Sequence, residues 1–244
     1  MLELFAAACD RVAALLARTD DWGSTGARDG QYRVDVEADA ASVGLLHRAG
    51  LAVLSEESGV TAPGIVDDGA IVVVDPLDGS TNAALGLPWC ATSLCLVVDG
   101  VATVAMVSNL RTGARFAAVR GSGATLDGRP LSVAEPVALR EAIIAVNGRP
   151  VDGFRPAQFR AMGATALDLA TVGAGGFDGS VDFDDDRIGV WDYLAAVLIV
   201  EEAGGVAVDA LGRDLVTLDH AARRRPVTAS SPQLLDELLT AAEP

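Results

Sequence analysis

The chain has 244 residues, half of them apolar, enough to bury a substantial core as one large domain or two closely joined halves. Eighteen basic residues against thirty-four acidic ones leave a formal charge of −16, which favours solubility and argues against broad electrostatic binding to nucleic acid or an anionic membrane. An anionic ligand must therefore be drawn in by a local positive feature, such as a bound metal.

Leu4, Phe5, Ala8, Val12, Leu15 and Leu16 follow helical spacing and predict an amphipathic first helix ending near Thr19. Glu3 stands where a signal peptide would carry positive charge, and charged residues interrupt every long apolar run. Neither an export signal nor a membrane span is expected. The stretch TDDWGSTGARDGQYR is rich in turn formers and is expected to form an exposed hairpin or mobile loop. Strands are predicted at LAVLS, at IVVV, at ATSLCLVVDG and VATVAMVSN joined by an Asp99-Gly100 turn, and at ARFAAVRG. Beyond Pro136, strands and helices intermix through AIIAV, LDLATVGAG and VWDYLAAVLIVEEAGG. A last helix from Leu234 to about Ala241 is opened by Ser231 and Pro232. The expected organisation is two α/β subdomains, 1–135 and 136–244, sharing one cleft. Cys9, Cys90 and Cys95 cannot all pair within one chain and lack metal-ligand spacing, so reduced core thiols in a cytoplasmic protein are expected.

The stretch IVVVDPLDGSTN, Ile71 to Asn82, carries the strongest chemical signal. Ile71 to Val74 is too apolar for a surface strand, which predicts a central one with Asp75 arriving at its carboxyl end, where open α/β sheets place ligands. Pro76 prevents an immediate helix and holds Asp75, the Leu77 carbonyl and Asp78 in a tight turn. Gly79, Ser80, Thr81 and Asn82 then offer backbone N–H groups at a helix start, a natural cradle for phosphate. Two carboxylates, a carbonyl and a hydroxyl are hard oxygen ligands of the kind Mg²⁺ prefers when it also takes substrate phosphate. LAVLSEESG places Glu56 and Glu57 after an apolar strand, where adjacent side chains point opposite ways and only one faces a site. Asp192, at the start of an apolar helix closed by Gly204 and Gly205, either serves the helix dipole or acts as a ligand.

SEESG, DPLDGSTN and WDYLAAVLIVEEAGG, in this order and spacing, together resemble the inositol monophosphatase family of Mg²⁺-dependent, lithium-sensitive phosphatases. RGSGATLDGRPLSV is similar to that family's glycine-rich hairpin, and MGATALDLATVGAGGFDG to its substrate-side helix and following strand. The resemblance implies a layered α/β fold of alternating helix and sheet layers and a homodimer. It further implies a first Mg²⁺ on Glu56, Asp75 and the Leu77 carbonyl, a second on Asp75, Asp78 and Asp192, and a weaker third near Glu56. By the same resemblance Ser80 and Asp39 align the attacking water, and Gly79, Ser80 and Thr81 hold phosphate. Gly163, Ala164, Thr165 and Asp185 meet the hydroxyls of a small phosphorylated polyol or sugar, and Arg28 stands where a mobile-loop lysine is common. Relatives of this kind hydrolyse inositol phosphates, fructose 1,6-bisphosphate, histidinol phosphate or 3′-phosphoadenosine 5′-phosphate, and a non-catalytic phosphosugar-binding protein is the reading from another class.

Other motifs weigh less. DFDDDRIGVWDY has Arg187 and Tyr193 where a calcium loop needs glycine and glutamate, and GSGATLDG lacks a nucleotide-loop lysine. His47 and His220 read as surface or helix-end histidines, and Arg223 to Arg225 as a solvated loop.

Overall fold

The computed structural model describes residues 1–26, 31–62, 69–184 and 186–242; Arg28 and Asp185 lie outside them. The chain builds five layers, helix and sheet in alternation. Helices α1 (Leu2–Leu16) and α2 (Arg33–Arg48) form the first. The second is an eight-stranded sheet in the order β2-β1-β3-β4-β5-β6-β7-β8. Its strands are β1 (Ala52–Ser55), β2 (Gly59–Thr61), β3 (Ala70–Asp78), β4 (Ala91–Val98), β5 (Val101–Asn109), β6 (Arg115–Val119), β7 (Ala124–Leu126) and β8 (Arg129–Pro130). The short helix α3 (Ser80–Ala84) follows β3 directly. Helices α4 (Thr165–Gly173) and α5 (Val190–Glu202) make the middle layer. A five-stranded sheet follows, ordered β10 (Gln158–Arg160), β9 (Ile143–Asn147), β11 (Gly179–Asp182), β13 (Pro226–Ala229), β12 (Val206–Asp209), and α6 (Pro232–Ala241) covers its far face.

The layering follows from the period of two along each strand. On β3, Val72 and Val74 pack with Phe5, Ala8 and Leu46 of the first layer, while Val73 packs with α4 and α5. α5 is apolar all round because it lies between two sheets, and its residues from Val190 to Val200 are buried except the partly buried Asp192. The Asp99-Gly100 turn joins β4 to β5 with both residues at positive φ, 50° and 76°, the backbone that matches the twist of a two-residue hairpin. α6 begins as expected, with the Ser231 hydroxyl accepting from the Leu234 N–H at 3.2 Å and Pro232 in the first turn.

Three expectations change. The first helix stops at Leu16 rather than near Thr19, and Arg33–Arg48, to which no element was assigned from sequence, is a full helix. Asp75 does not end its strand: β3 runs on to Asp78, and its pairing with β4 passes from Asp75↔Ser93 to Asp78↔Ala91 through a bulge at Pro76 and Leu77. A bulge is where a sheet tolerates a residue without an N–H, and the Pro76 carbonyl is still used, accepting from the Thr92 hydroxyl at 2.8 Å.

Candidate active site

The same alternation that builds the core brings three acids to one point. Ile71, Val73 and Asp75 share the face of β3 that looks toward α5, and Asp192 lies in the first turn of that helix. β1 lies parallel to β3 with Ser55 opposite Val74, and the Glu56 N–H continues the ladder to the Val74 carbonyl at 3.1 Å. Because Leu54 faces α5, Ser55 turns to the first layer and Glu56 back toward Asp75. Oxygens of Glu56, Asp75 and Asp192 consequently lie within 4.8 Å of one another. Glu57 takes the opposite side and accepts a hydrogen bond from Gln31.

Each acid is held by backbone. Asp75 Oδ1 accepts from the Leu77 N–H at 2.9 Å across the bulge, and Asp192 Oδ2 from the Gly189 N–H at 2.7 Å at the head of α5. Asp78 stands beside this trio, with Oδ2 accepting from the Ala166 N–H at 2.7 Å in the first turn of α4. Burial, reinforced by the charges of Glu56, Asp78 and Asp192, pushes the Asp75 carboxyl well above its ordinary range. Burial likewise raises Asp78 to about 8 and, together with the Asp78 charge, Asp192 to about 7. Packing four acids this closely is costly unless protons or a cation compensate them. With no histidine or cysteine in the cluster, the donor set suits a hard divalent cation.

Asp39 lies on the α2 side of the same turn. Its Oδ1 accepts from the hydroxyls of Ser55 at 2.5 Å and Ser58 at 3.2 Å, and no hydrogen bond joins it to Ser80. Asp39 therefore braces the Glu56 turn. His220, read from sequence as lying outside any site, meets that turn from the other half of the chain. Its Nε2 is 3.1 Å from the Glu56 carbonyl, and its ring lies 4.7 Å from that of Trp191, over which Arg223 also sits.

Gly79 turns the chain from β3 into α3 at φ +78°, and no side chain caps the first amides of that helix. A Cβ at Gly79 would come 2.9 Å from the Trp89 carbonyl and 3.0 Å from Ala164, so the turn and the Gly163 segment fit only around glycine. Gly79→Ala is accordingly expected to lower stability by more than about 1 kcal/mol, measured as a lower urea midpoint, because it combines a left-handed backbone with a backbone clash.

In the second sheet, Asn147 and Asp182 end the parallel strands β9 and β11 opposite one another. Val146 and Val181 pack toward α6, so both polar side chains face α4. Asn147 Nδ2 donates to the Thr165 hydroxyl at 2.9 Å. Asp182 is 1% exposed, its Oδ2 has no hydrogen-bond partner among the described residues, and burial raises its carboxyl to about 6. Neither residue was picked out from sequence. The available signal in Asp182 was the one already used for Asp75, an acid closing a strand.

Known proteins resemble the chain over this whole frame. The description "Inositol monophosphatase family" matches residues 17–243. The chain belongs to the inositol monophosphatase family. Within it, an inositol-1-monophosphatase of Rhizobium meliloti (strain 1021) is 39% identical over 154 residues, 57% of this chain and 57% of that relative. The aligned part is thus just over half the length of that relative. A fructose-1,6-bisphosphatase/inositol-1-monophosphatase of Methanothermobacter thermautotrophicus is 31% identical over 231 residues, 86% of this chain and 82% of the relative. The crystal structure of extragenic suppressor protein suhB from Bartonella henselae superposes with a TM-score of 0.84 at 26% identity, covering 99% of this chain and 98% of that one. Family membership and this shared fold account for the layered α/β architecture expected from the motifs.

Proposed function

We propose that the protein is a Mg²⁺-dependent phosphomonoesterase that hydrolyses a small hydroxyl-rich monophosphate such as an inositol monophosphate. The observation that carries this reading is the meeting of Glu56, Asp75 and Asp192 within 4.8 Å, beside a glycine turn with uncapped amides. Glu56, Asp75 and Asp192 would hold Mg²⁺ directly, and Asp78, with one oxygen not engaged by Ala166, and the Leu77 carbonyl would complete two positions. Bound there, Mg²⁺ supplies charge neutralisation of the phosphate and a lowered pKa for bound water.

The remaining work falls to the chain. The amides of Gly79, Ser80 and Thr81 receive the phosphoryl oxygens, and the Ser80 hydroxyl orients the attacking water. Asp39 contributes by fixing Ser55 and Ser58, and through them the direction of the Glu56 carboxylate. The alcohol leaves toward Gly163, Ala164 and Thr165, and Asp185 is proposed from sequence to accept hydrogen bonds from its hydroxyls, with Asp182, buried beside Asn147, behind that end of the site.

A second reading is a bisphosphate substrate. The charges of Arg225 and Arg187 act on Asp182, so cations stand near the leaving-group end, and one relative carries a fructose-1,6-bisphosphatase name. Phosphate release in Mg²⁺ from inositol 1-phosphate, fructose 1,6-bisphosphate, histidinol phosphate and 3′-phosphoadenosine 5′-phosphate separates the readings. Inositol 1-phosphate is expected to have the highest kcat/KM, and Asp185→Ala to raise its KM about tenfold with a smaller change in kcat. Preference for the bisphosphate would move the assignment to the second reading. Release from none of the four would favour a non-catalytic phosphosugar-binding protein.

A further inference from the structure

Asn82 closes the DPLDGSTN stretch, and neither the metal cluster nor the phosphate cradle uses its side chain. It is buried on α3, yet its amide reaches out of the helix to three carbonyls. Nδ2 donates to the Trp89 carbonyl at 2.8 Å and the Met162 carbonyl at 2.8 Å, with the Gly163 carbonyl at 3.3 Å sharing a proton. Met162 is 80 residues away in the chain and belongs to the other sheet's side of the cleft. Trp89 is itself fixed, since its indole Nε1 donates to Asp168 Oδ1 at 2.8 Å on α4.

Apart from the three-residue pairing of β10 with β9 just before it, the segment that Asn82 holds has little else among the described residues to hold it. Gln158, Phe159, Arg160, Ala161 and Gly163 are exposed, and β10 is an edge strand. Immediately after it come Ala164, which the Gly79 turn touches, and Thr165, which opens α4. The Asn82 amide is therefore a strut from the helix of the phosphate turn to the segment proposed to receive the alcohol. We infer that Asn82 is a positioning residue that sets the leaving-group side of the cleft relative to the phosphate turn, without touching substrate. The inference deepens the phosphomonoesterase reading and rests on it.

The position matters more for a substrate that uses both sides than for one that uses only the phosphate turn. A displacement of about 1 Å in an aligned substrate can cost on the order of a hundredfold in rate. Inositol 1-phosphate spans the phosphate turn and the Gly163 segment, whereas p-nitrophenyl phosphate has a good leaving group and no hydroxyls to align. Asn82→Ala and the equally sized Asn82→Asp, both lacking the donors, are compared with wild type on the two esters in Mg²⁺. The expected result is a loss in kcat/KM of about 30-fold on inositol 1-phosphate and at least about tenfold less on p-nitrophenyl phosphate, with inhibition by inorganic phosphate changed less than about threefold. Gly163→Ala keeps every Asn82 donor but puts a methyl 3.3 Å from Nδ2 at a φ of +82°, and so strains the same segment by crowding its contact with Asn82. It should reproduce the split if an Asn82 variant fails to fold. Hydrogen exchange supplies a readout independent of turnover: amides of 159–166 should exchange at least about tenfold faster in Asn82→Asp, or in Gly163→Ala, with α5 unchanged. Equal losses on both esters, or unchanged exchange in 159–166, would overturn the positioning role. Should wild type hydrolyse neither ester, the phosphomonoesterase reading fails, while the exchange result still decides whether Asn82 holds the segment.

Discussion

Asp75→Asn is expected to remove Mg²⁺-dependent phosphate release by about three orders of magnitude or more while leaving the metal-free protein at least as stable as wild type. The two effects have one cause. Asp75 is 1% exposed and lies among Glu56, Asp78 and Asp192, so its charge is poorly compensated when no cation is present. An asparagine keeps Oδ1 for the Leu77 N–H, preserving the bulge, and removes the charge from the centre of the cluster. In the presence of Mg²⁺ the balance reverses, because the Asp75 carboxylate is one of the groups proposed to hold the ion. Metal catalysis of this type supplies several kcal/mol of transition-state stabilisation, and about 4 kcal/mol corresponds to three orders of magnitude in rate. Turnover is measured on the best ester of the panel and melting temperature with and without Mg²⁺. Near-normal turnover would end the assignment of Asp75 as a metal ligand. A variant unfolded without Mg²⁺ would show instead that the carboxylate is needed to form the bulge.

What made Asp75 legible is that its environment is written in consecutive residues. Four apolar positions before it demand a central strand, and an acid following such a run must go somewhere polar. Glu56 is legible for the same reason, and the alternation that separates it from Glu57 follows from period two alone. Other features depend on partners distant in the chain. RVDVEADA alternates apolar and polar residues like a strand, and only packing of Val34, Ala38, Val43 and Leu46 against the rest of the first layer and the sheet makes it a helix. The continuation of β3 through Pro76 depends on β4 offering a partner across a bulge. Asp182 is hidden because the strand before it has one apolar residue, Val181, and the acids that follow blur its end. The reach of Asn82 to Met162 joins two halves of the fold and leaves no local trace. His220 shows no pattern in its own neighbourhood, since its partner Glu56 is 164 residues away.

The second large effect is a pH dependence that Mg²⁺ inverts. In the metal-free protein, burial raises Asp78 to about 8, Asp192 to about 7 and Asp168 to about 7, and lifts Asp75 in the same direction. Unfolding returns each to an ordinary carboxyl near 3.9. Between these limits the folded state binds more protons than the unfolded chain, so stability falls as pH rises. Their contribution is complete below about pH 4 and lost as pH climbs through about 8. Asp209 works the other way: against the raising effect of burial, hydrogen bonds from Arg213 and from the Arg225 N–H together lower its carboxyl, giving stability present above its ordinary range and lost as pH falls below it. Metal-free protein should therefore be most stable in mild acid, near pH 5, and lose several degrees of melting temperature by pH 8.5, a few kcal/mol corresponding to roughly that shift for a chain of this size. Mg²⁺ requires Asp75, Asp78 and Asp192 deprotonated, so its stabilising effect should be small at pH 5.5 and grow steadily to pH 8.5. Thermal unfolding at four pH values, in EDTA and in excess Mg²⁺, measures both slopes. In Asp75→Asn the EDTA slope should flatten and the Mg²⁺ increment should shrink at every pH. A metal-free protein that becomes more stable between pH 5.5 and 8.5 would mean that these buried acids are compensated by the protein itself, and the case for a cation among them would lose its electrostatic basis.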